Sequence, residues 1–218
     1  MLLWFRRVTR ECGAKGGAES DAELVARLRN QDEQAFLRLY DGHGRTVYRF
    51  LAHMTGSVSL AEELTQDVFV EILNAVCSGA IANFDSEKGT LEGYLLGIAR
   101  NLARKELRRN RALVSLESVL ETPEWNRLLD RLSKDNREWA GVALVMMRAD
   151  VRALYRALLD LPNHYREVVV LCSLQEKSYQ QAAALLGVSE GTIASRMNRA
   201  RALLAAKLRK SQSEEVNT

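Results

Sequence analysis

Three groups of side chains in this chain have types and spacings that could do chemistry. Thr192, Ser195 and Arg199 fall together on one side of a helix, with Arg196 flanking them, roughly opposite an apolar stripe of Ile193, Met197, Ala200 and Leu204. Short hydroxyls and arginines on a helix front suit the major groove, where they meet base edges, guanine and phosphate. Tyr94, Asn101, Lys105 and Arg108 lie at i, i+7, i+11 and i+14, one stripe of a helix, with Arg104 beside it. A ring that stacks on a base, an amide for a base edge and cations for phosphates are what single-stranded or opened nucleic acid needs. One base–aromatic stack contributes about 1–3 kcal/mol. Glu63, Gln66, Asp67, Val70 and Asn74 share a third helical face. An acidic face with an exposed valine is either solvated surface or a docking site for a basic partner helix.

A metal-dependent nuclease would need clustered carboxylates or His/Cys ligands. Glu62, Glu63 and Asp67 are the best carboxylate cluster, and nothing pairs with them. Cys12, Cys77 and Cys172 are odd in number and widely separated, and His43, His53 and His164 are equally scattered. That distribution indicates neither a metal site nor a disulfide framework. The expectation is a binding protein without a cofactor, not an enzyme.

Local signals predict the elements that position these groups. Ser178 with Gln181 forms a capping box that starts a helix at Tyr179, and Gly187 supplies the left-handed residue that ends it. Ser189 caps the next helix, so Gly187-Val188-Ser189 is the turn of a helix-turn-helix. Thr90 is expected to cap a helix that ends near Arg111 and buries Leu95, Ile98, Ala99 and Leu102. Within it Arg100, Arg104, Lys105, Arg108, Arg109 and Arg111 are offset by Glu106 alone, more cations than a helix dipole calls for. Gly93 and Gly97 each cost about 1 kcal/mol inside a helix, so close packing is expected at both. The acidic face belongs to a helix over 59–76, with Leu60, Ala61, Leu64, Val68 and Ile72 on its apolar side. Upstream, Leu24 to Leu51 supply two helices with a break at Asp41-Gly42-His43-Gly44. A helix over 148–159 follows the middle of the chain, and Pro162 opens another that feeds Val168, Val169, Leu171 and Cys172 into the core.

These elements make an all-α protein of two small helical domains joined by a linker, the C-terminal one a helix-turn-helix. Two prolines among 218 residues, 47% hydrophobic residues and no sustained apolar–polar alternation support that class. Residues 1–20 read as a disordered extension, since MLLWF is too short for a signal core and Arg6, Arg7 and Arg10 follow it. Residues 21–112 form the first domain, 113–147 a partly helical linker rich in apolar residues, 148–210 the second domain, and 211–218 a disordered tail. No stretch reaches membrane-spanning length, so no membrane insertion is expected. With reduced cysteines the expected location is cytoplasmic. The net charge of +3 is modest, and clustering of the cations matters more for a polyanion than their sum.

The whole pattern resembles the extracytoplasmic-function sigma factors, the two-domain class of bacterial RNA polymerase promoter-specificity subunits. AEELTQDVFVEIL at 61–73 is similar to the family's polymerase-binding helix, and GTLEGYLLGIARNLARKELRR at 89–109 to its promoter-melting helix. LLDLPNHYREVVVLCSLQEKSYQQAAALLGVSEGTIASRMNRARALL at 158–204 is similar to its upstream-element-binding domain. The resemblance implies that 21–112 is sigma region 2 and 148–210 sigma region 4. It implies that Glu63, Gln66, Asp67 and Val70 dock on core RNA polymerase, with Phe69 as core support. Tyr94, Asn101, Arg104, Lys105 and Arg108 would take the downstream promoter element and aid melting, with a flipped-base pocket near 84–88. Ser189, Thr192, Ser195, Arg196 and Arg199 would read the upstream element. It also implies an anti-sigma partner. Tyr94 stands where the family usually has tryptophan, and Ala194 where it usually has lysine. A helix-turn-helix regulator acting alone would explain the C-terminal domain, but would leave the acidic face and the Tyr94 row without purpose.

Overall fold

The computed structural model describes residues 20–83, 89–109 and 151–216. Ser20 starts the first helix, α1 (Asp21–Arg29), through a complete capping box with Glu23. Ser20, expected within the extension, belongs to this helix as its cap, and residues 1–19 and 113–147 lie outside the described residues. The first break falls at Asn30–Asp32, where Gln31 takes a positive φ of 57° and Asp32 accepts from the amides of Gln34 and Ala35 to cap the next helix.

That helix, α2 (Glu33–Thr55), runs unbroken through Asp41-Gly42-His43-Gly44, where two helices had been expected. Tertiary packing overrides two glycines that each cost about 1 kcal/mol. Gly44 is buried, with the Tyr40 ring 3.6 Å from where its Cβ would stand. Leu39, Val47, Phe50, Leu51 and Met54 on either side are almost fully buried. Gly56, at φ 72°, ends the helix in the left-handed conformation that glycine adopts without strain.

Helix α3 (Val58–Cys77) is capped by Ser57 and buries Ala61, Leu64, Val68, Phe69 and Ile72 against α2. A 3₁₀ turn at Ala80–Asn83 places Ile81 in the core. Thr90 Oγ1 then accepts from the Gly93 amide, as its sequence position predicts, to start α4 (Leu91–Arg109). Helix α4 lies against both α2 and α3.

The C-terminal half begins with α5, helical over 151–159. Pro162 precedes α6 (Asn163–Val169), which passes into a π-helical turn, Val170–Leu174. Ser178 and Gln181 form the predicted capping box of α7 (Tyr179–Leu186), and Gly187 ends it at φ 65°. Helix α8 (Glu190–Val216) continues to Val216, through part of the expected tail. No glycine or proline interrupts it after Gly191, and extending a nucleated helix fixes only one residue per added bond. Every described element is helical or turn.

The two groups of helices dock on one another and share a continuous buried core. Tyr155 on α5 is buried and donates to the Ala52 carbonyl of α2. Its hydroxyl lies 3.3 Å from His53 Nδ1, and the two rings meet edge-on. Arg166 on α6, 6% exposed, donates to the carbonyls of Met54, Leu159 and Leu161. Three carbonyls from both halves thus converge on one guanidinium, whose fixed fork satisfies them together.

Candidate nucleic-acid interface

The helix-turn-helix is built by the residues that announce it. Ser189 Oγ accepts from the Thr192 amide and lies 2.9 Å from the Thr192 hydroxyl, pinning the first turn of α8. Ile193, Met197 and Ala200 are 1% exposed or less, so the helix rotates Ser189, Ser195 and Arg199 outward. Thr192 and Arg196 are half-buried beside them. His164 and Tyr165 of α6, not singled out in the sequence, join these five around a polar groove of about 450 Å³. Nothing in the NHYRE run marks them; their place at the start of α6 brings them there. Hydroxyls, two arginines and a groove edge together fit the side of a duplex, with phosphate at the rim and base edges at the centre.

The α4 stripe is placed differently. Tyr94 is half-buried, while Asn101, Lys105 and Arg108 are exposed. Tyr94, Gly97 and Asn101 form one wall of a cleft of about 570 Å³ whose other wall is Gln180, Gln181, Ala184 and Leu185 of α7. A Cβ on Gly93 would stand 3.4 Å from Leu185 Cδ2 and 3.2 Å from Thr90 Oγ1. The close packing expected at Gly93 is present. Gly97 has nothing within 4 Å of that position, so the same expectation fails there. Arg104, placed beside the stripe from sequence, turns toward α6, its Nε 3.6 Å from Glu167 Oε1. Arg100 approaches the same carboxylate at 3.2 Å, and Glu167 is 1% exposed. Glu167 sits inside an apolar REVVVL run, and nothing in the sequence points from it to α4. Lys177, just before α7, pairs with Glu92 of α4 at 2.7 Å.

On α3 the residues Glu63, Gln66, Asp67 and Val70 are all exposed and share one face. Phe69 is 3% exposed, its ring 4.7 Å from Tyr40 and 6.2 Å from Phe36, so it supports that face from beneath. Leu73, which the sequence reading passed over, is 40% exposed beside Val70 at 48%. It opens onto an apolar groove of about 390 Å³ that includes Phe36, Leu37, Val76 and Cys77, with Asp32 and Glu33 at its rim. The missed signal was the i+3 spacing from Val70. Residues 84–88, proposed for a flipped base, lie outside the described residues.

Among the described residues no group of His, Cys, Asp and Glu could hold a metal ion, and no helix is long and apolar enough to cross a membrane. Burial pushes His53 down to about 4, with the Arg49 charge adding to the shift, and burial also lowers His43. Both histidines lie outside the nucleic-acid faces.

An all-α pair of domains with a helix-turn-helix and a second basic helix is the architecture of a nucleic-acid-binding protein. Comparison with known proteins agrees: residues 39–113 match the family model for Sigma-70 region 2, and residues 151–204 match Sigma-70, region 4. The ECF RNA polymerase sigma factor SigM of Mycobacterium tuberculosis is 33% identical over 189 residues, covering 85% of this chain and 83% of SigM. SigE of Mycolicibacterium smegmatis is 33% identical over 180 residues, 81% of this chain, and the match spans 62% of SigE. The chain belongs to the ECF RNA polymerase sigma factors. Among solved structures, the sigma factor RpoE of Bartonella quintana, in complex with the anti-sigma factor NepR, superposes with a TM-score of 0.51 at 22% identity. That superposition covers 83% of this chain and 98% of RpoE, and it bears on the fold alone.

Proposed function

We propose that this protein binds core RNA polymerase and directs it to promoters, working in the cytoplasm as a recognition subunit without chemistry of its own. Residues 21–112 are the unit that anchors on polymerase and captures the downstream element, and 148–210 the unit that reads the upstream duplex. The observation that carries this reading is that one chain holds two nucleic-acid faces of different design, together with an acidic face bearing exposed apolar residues.

Each face has a role matched to its chemistry. Ser189, Thr192, Ser195, Arg196 and Arg199 read the upstream element in the major groove. Tyr94 and Asn101 take bases extruded from the opened strand, while Arg104, Lys105 and Arg108 hold its phosphates. Unstacking costs a few kcal/mol per step, and stacking on Tyr94 plus polymerase binding offset it. On α3, Glu63, Gln66 and Asp67 set the orientation of a basic partner helix, and Val70 with Leu73 adds burial. An anti-sigma factor, like the NepR bound by its structural neighbour, is the expected restraint.

Run-off transcription with purified core polymerase tests the reading. Wild-type protein should give promoter-dependent transcripts, and Asn101→Ala should impair opening while leaving upstream duplex binding intact. Failure to associate with core polymerase, or full activity of Asn101→Ala, would overturn it.

A further inference from the structure

We propose that the apolar groove at the end of α3 holds a segment of this same chain, Met1–Phe5, with Arg6 and Arg7 against its acidic rim. The segment then covers Leu73, so it contends with core RNA polymerase for one edge of α3. The second step rests on the proposal that α3 binds polymerase, and the first does not.

The groove is built where three helices meet. Leu28 lies in the last turn of α1, Phe36 and Leu37 at the start of α2, and Leu73, Val76 and Cys77 at the end of α3, around a depression of about 390 Å³. Its volume is in the range of pockets that take the apolar groups of a ligand. Gln66, Val70, Leu73 and Cys77 follow the i, i+4, i+7 and i+11 spacing of one helical stripe. The groove therefore opens directly onto the exposed stripe of α3, and Leu73, at 40% exposure, belongs to both.

Composition, reach and charge name the occupant. MLLWF is a run of five apolar residues, and such a run needs cover. The groove lies at the far end of α1 from Ser20, and that helix is nine residues long, about 13 Å. Residues 6–19, which join Phe5 to Ser20, span up to about 45 Å when extended, so the segment reaches the groove with length to spare. A connection this short, with Gly13, Gly16 and Gly17 in it, gives an effective concentration on the order of 1 mM. A contact with a Kd of about 0.1 mM then fills the groove about nine-tenths of the time. A second copy or a separate protein lacks that advantage. Arg6, Arg7 and Arg10 follow the apolar run, and Asp32 and Glu33 stand at the groove's rim. Arg27 already pairs with Asp32 at 2.8 Å, so exposed Glu33 is the acid that meets the incoming arginines.

The test uses the full chain and its own cysteines. Cys77 is exposed on the groove, and Cys12 lies seven residues past Phe5. A short-armed bismaleimide should therefore join them within one chain, read by mass spectrometry as a Cys12–Cys77 peptide from the monomer band. Trp4→Asp on the segment and Leu73→Asp at the exposed groove edge should each lower that yield about ten-fold, with helicity unchanged. Trp4→Asp should also tighten association with core RNA polymerase by about ten-fold, because it frees Leu73 from a groove filled about nine-tenths of the time. Equal cross-linking in all three proteins, or a Cys12–Cys77 link found only in a two-chain band, would overturn the proposal. Loss of the link with unchanged polymerase affinity would overturn the contention at Leu73. Failure of the function assigned to α3 reads separately: neither wild type nor Trp4→Asp would then bind polymerase, while the cross-link would still decide what fills the groove.

Discussion

Helices α4 and α8 are both basic, both carry hydroxyl or amide groups among their cations, and both turn an apolar stripe into a core. Their surroundings differ. The front of α8 is open, with Ser195 and Arg199 exposed and the polar groove beside them. The front of α4 is partly roofed by α7, and two of its arginines turn to Glu167. Similar composition therefore gives two kinds of site. The front of one is open, and the front of the other is partly covered by α6 and α7. The contrast depends on docking, so the largest expected effects lie in what holds the domains together.

Arg166 is the first place to break it. Alanine there leaves the carbonyls of Met54, Leu159 and Leu161 without their shared donor in a buried site. Each stranded group costs about 1–3 kcal/mol, so Arg166→Ala should lower stability by about 3 kcal/mol or more in urea unfolding. A loss below about 1 kcal/mol would mean that water already reaches those carbonyls.

His53 sharpens the comparison through pH. It sits on α2, half-buried and neutral against Tyr155, and burial with the Arg49 charge holds its folded value down at about 4, below the ordinary 6.5. The unfolded state therefore binds the extra proton first. Stability is fully present above pH 6.5, falls as the pH drops from 6.5 toward about 4, and falls no further from this cause below that. The whole step is about 3 kcal/mol at 1.36 kcal/mol per unit. His43, also lowered by burial, adds in the same direction. His53→Asn should flatten most of this slope in unfolding measured across about pH 4–7. An unchanged slope would remove His53 from the account.

On the open helix the effect is smaller and confined to binding. Arg199 is exposed, so Arg199→Ala should leave stability within about 0.5 kcal/mol of wild type. It should weaken upstream-duplex binding by about 1–3 kcal/mol, read by anisotropy at fixed salt. On the third face, Val70→Asp should reduce association with core polymerase while sparing both DNA contacts.

Local rules were enough for parts whose structure is local. The capping box at Ser178, the glycine at 187 and the cap at Ser189 gave the helix-turn-helix to within a residue, because caps and left-handed turns are decided by neighbours in sequence. The same rules misplaced the first break. Asp41-Gly42-His43-Gly44 has turn composition, but the packing of Leu39, Val47 and Phe50 outweighs it, while the working N-cap, Asp32, was overlooked. Arg104 was legible as part of a basic stripe, though its partner was not. A contact between Arg104 and Glu167 joins residues 63 positions apart, and no spacing rule reaches that far. Leu73 lies three residues from Val70 and so shares its side of the helix, but an apolar residue on an amphipathic helix reads as core unless that spacing is followed.

The smallest effect tests the roof over α4 directly, using two glycines one turn apart on the same helix. A Cβ at Gly97 meets nothing within 4 Å. Gly97→Ala should therefore stabilise the protein by about 0.5–1 kcal/mol, the helix-propensity difference, with the domains still docked. A Cβ at Gly93 stands 3.2 Å from Thr90 Oγ1 and 3.4 Å from Leu185 Cδ2, the first of these tighter than ordinary contact. The cap would have to give by a few tenths of an ångström, and α7 would lose its closest approach. Gly93→Ala should forfeit most of that gain, and the difference between the two variants should vanish in the Lys177→Glu background, where α7 no longer presses on α4. Equal stabilisation by both substitutions in the otherwise wild-type chain would mean that α7 does not rest on α4 in solution.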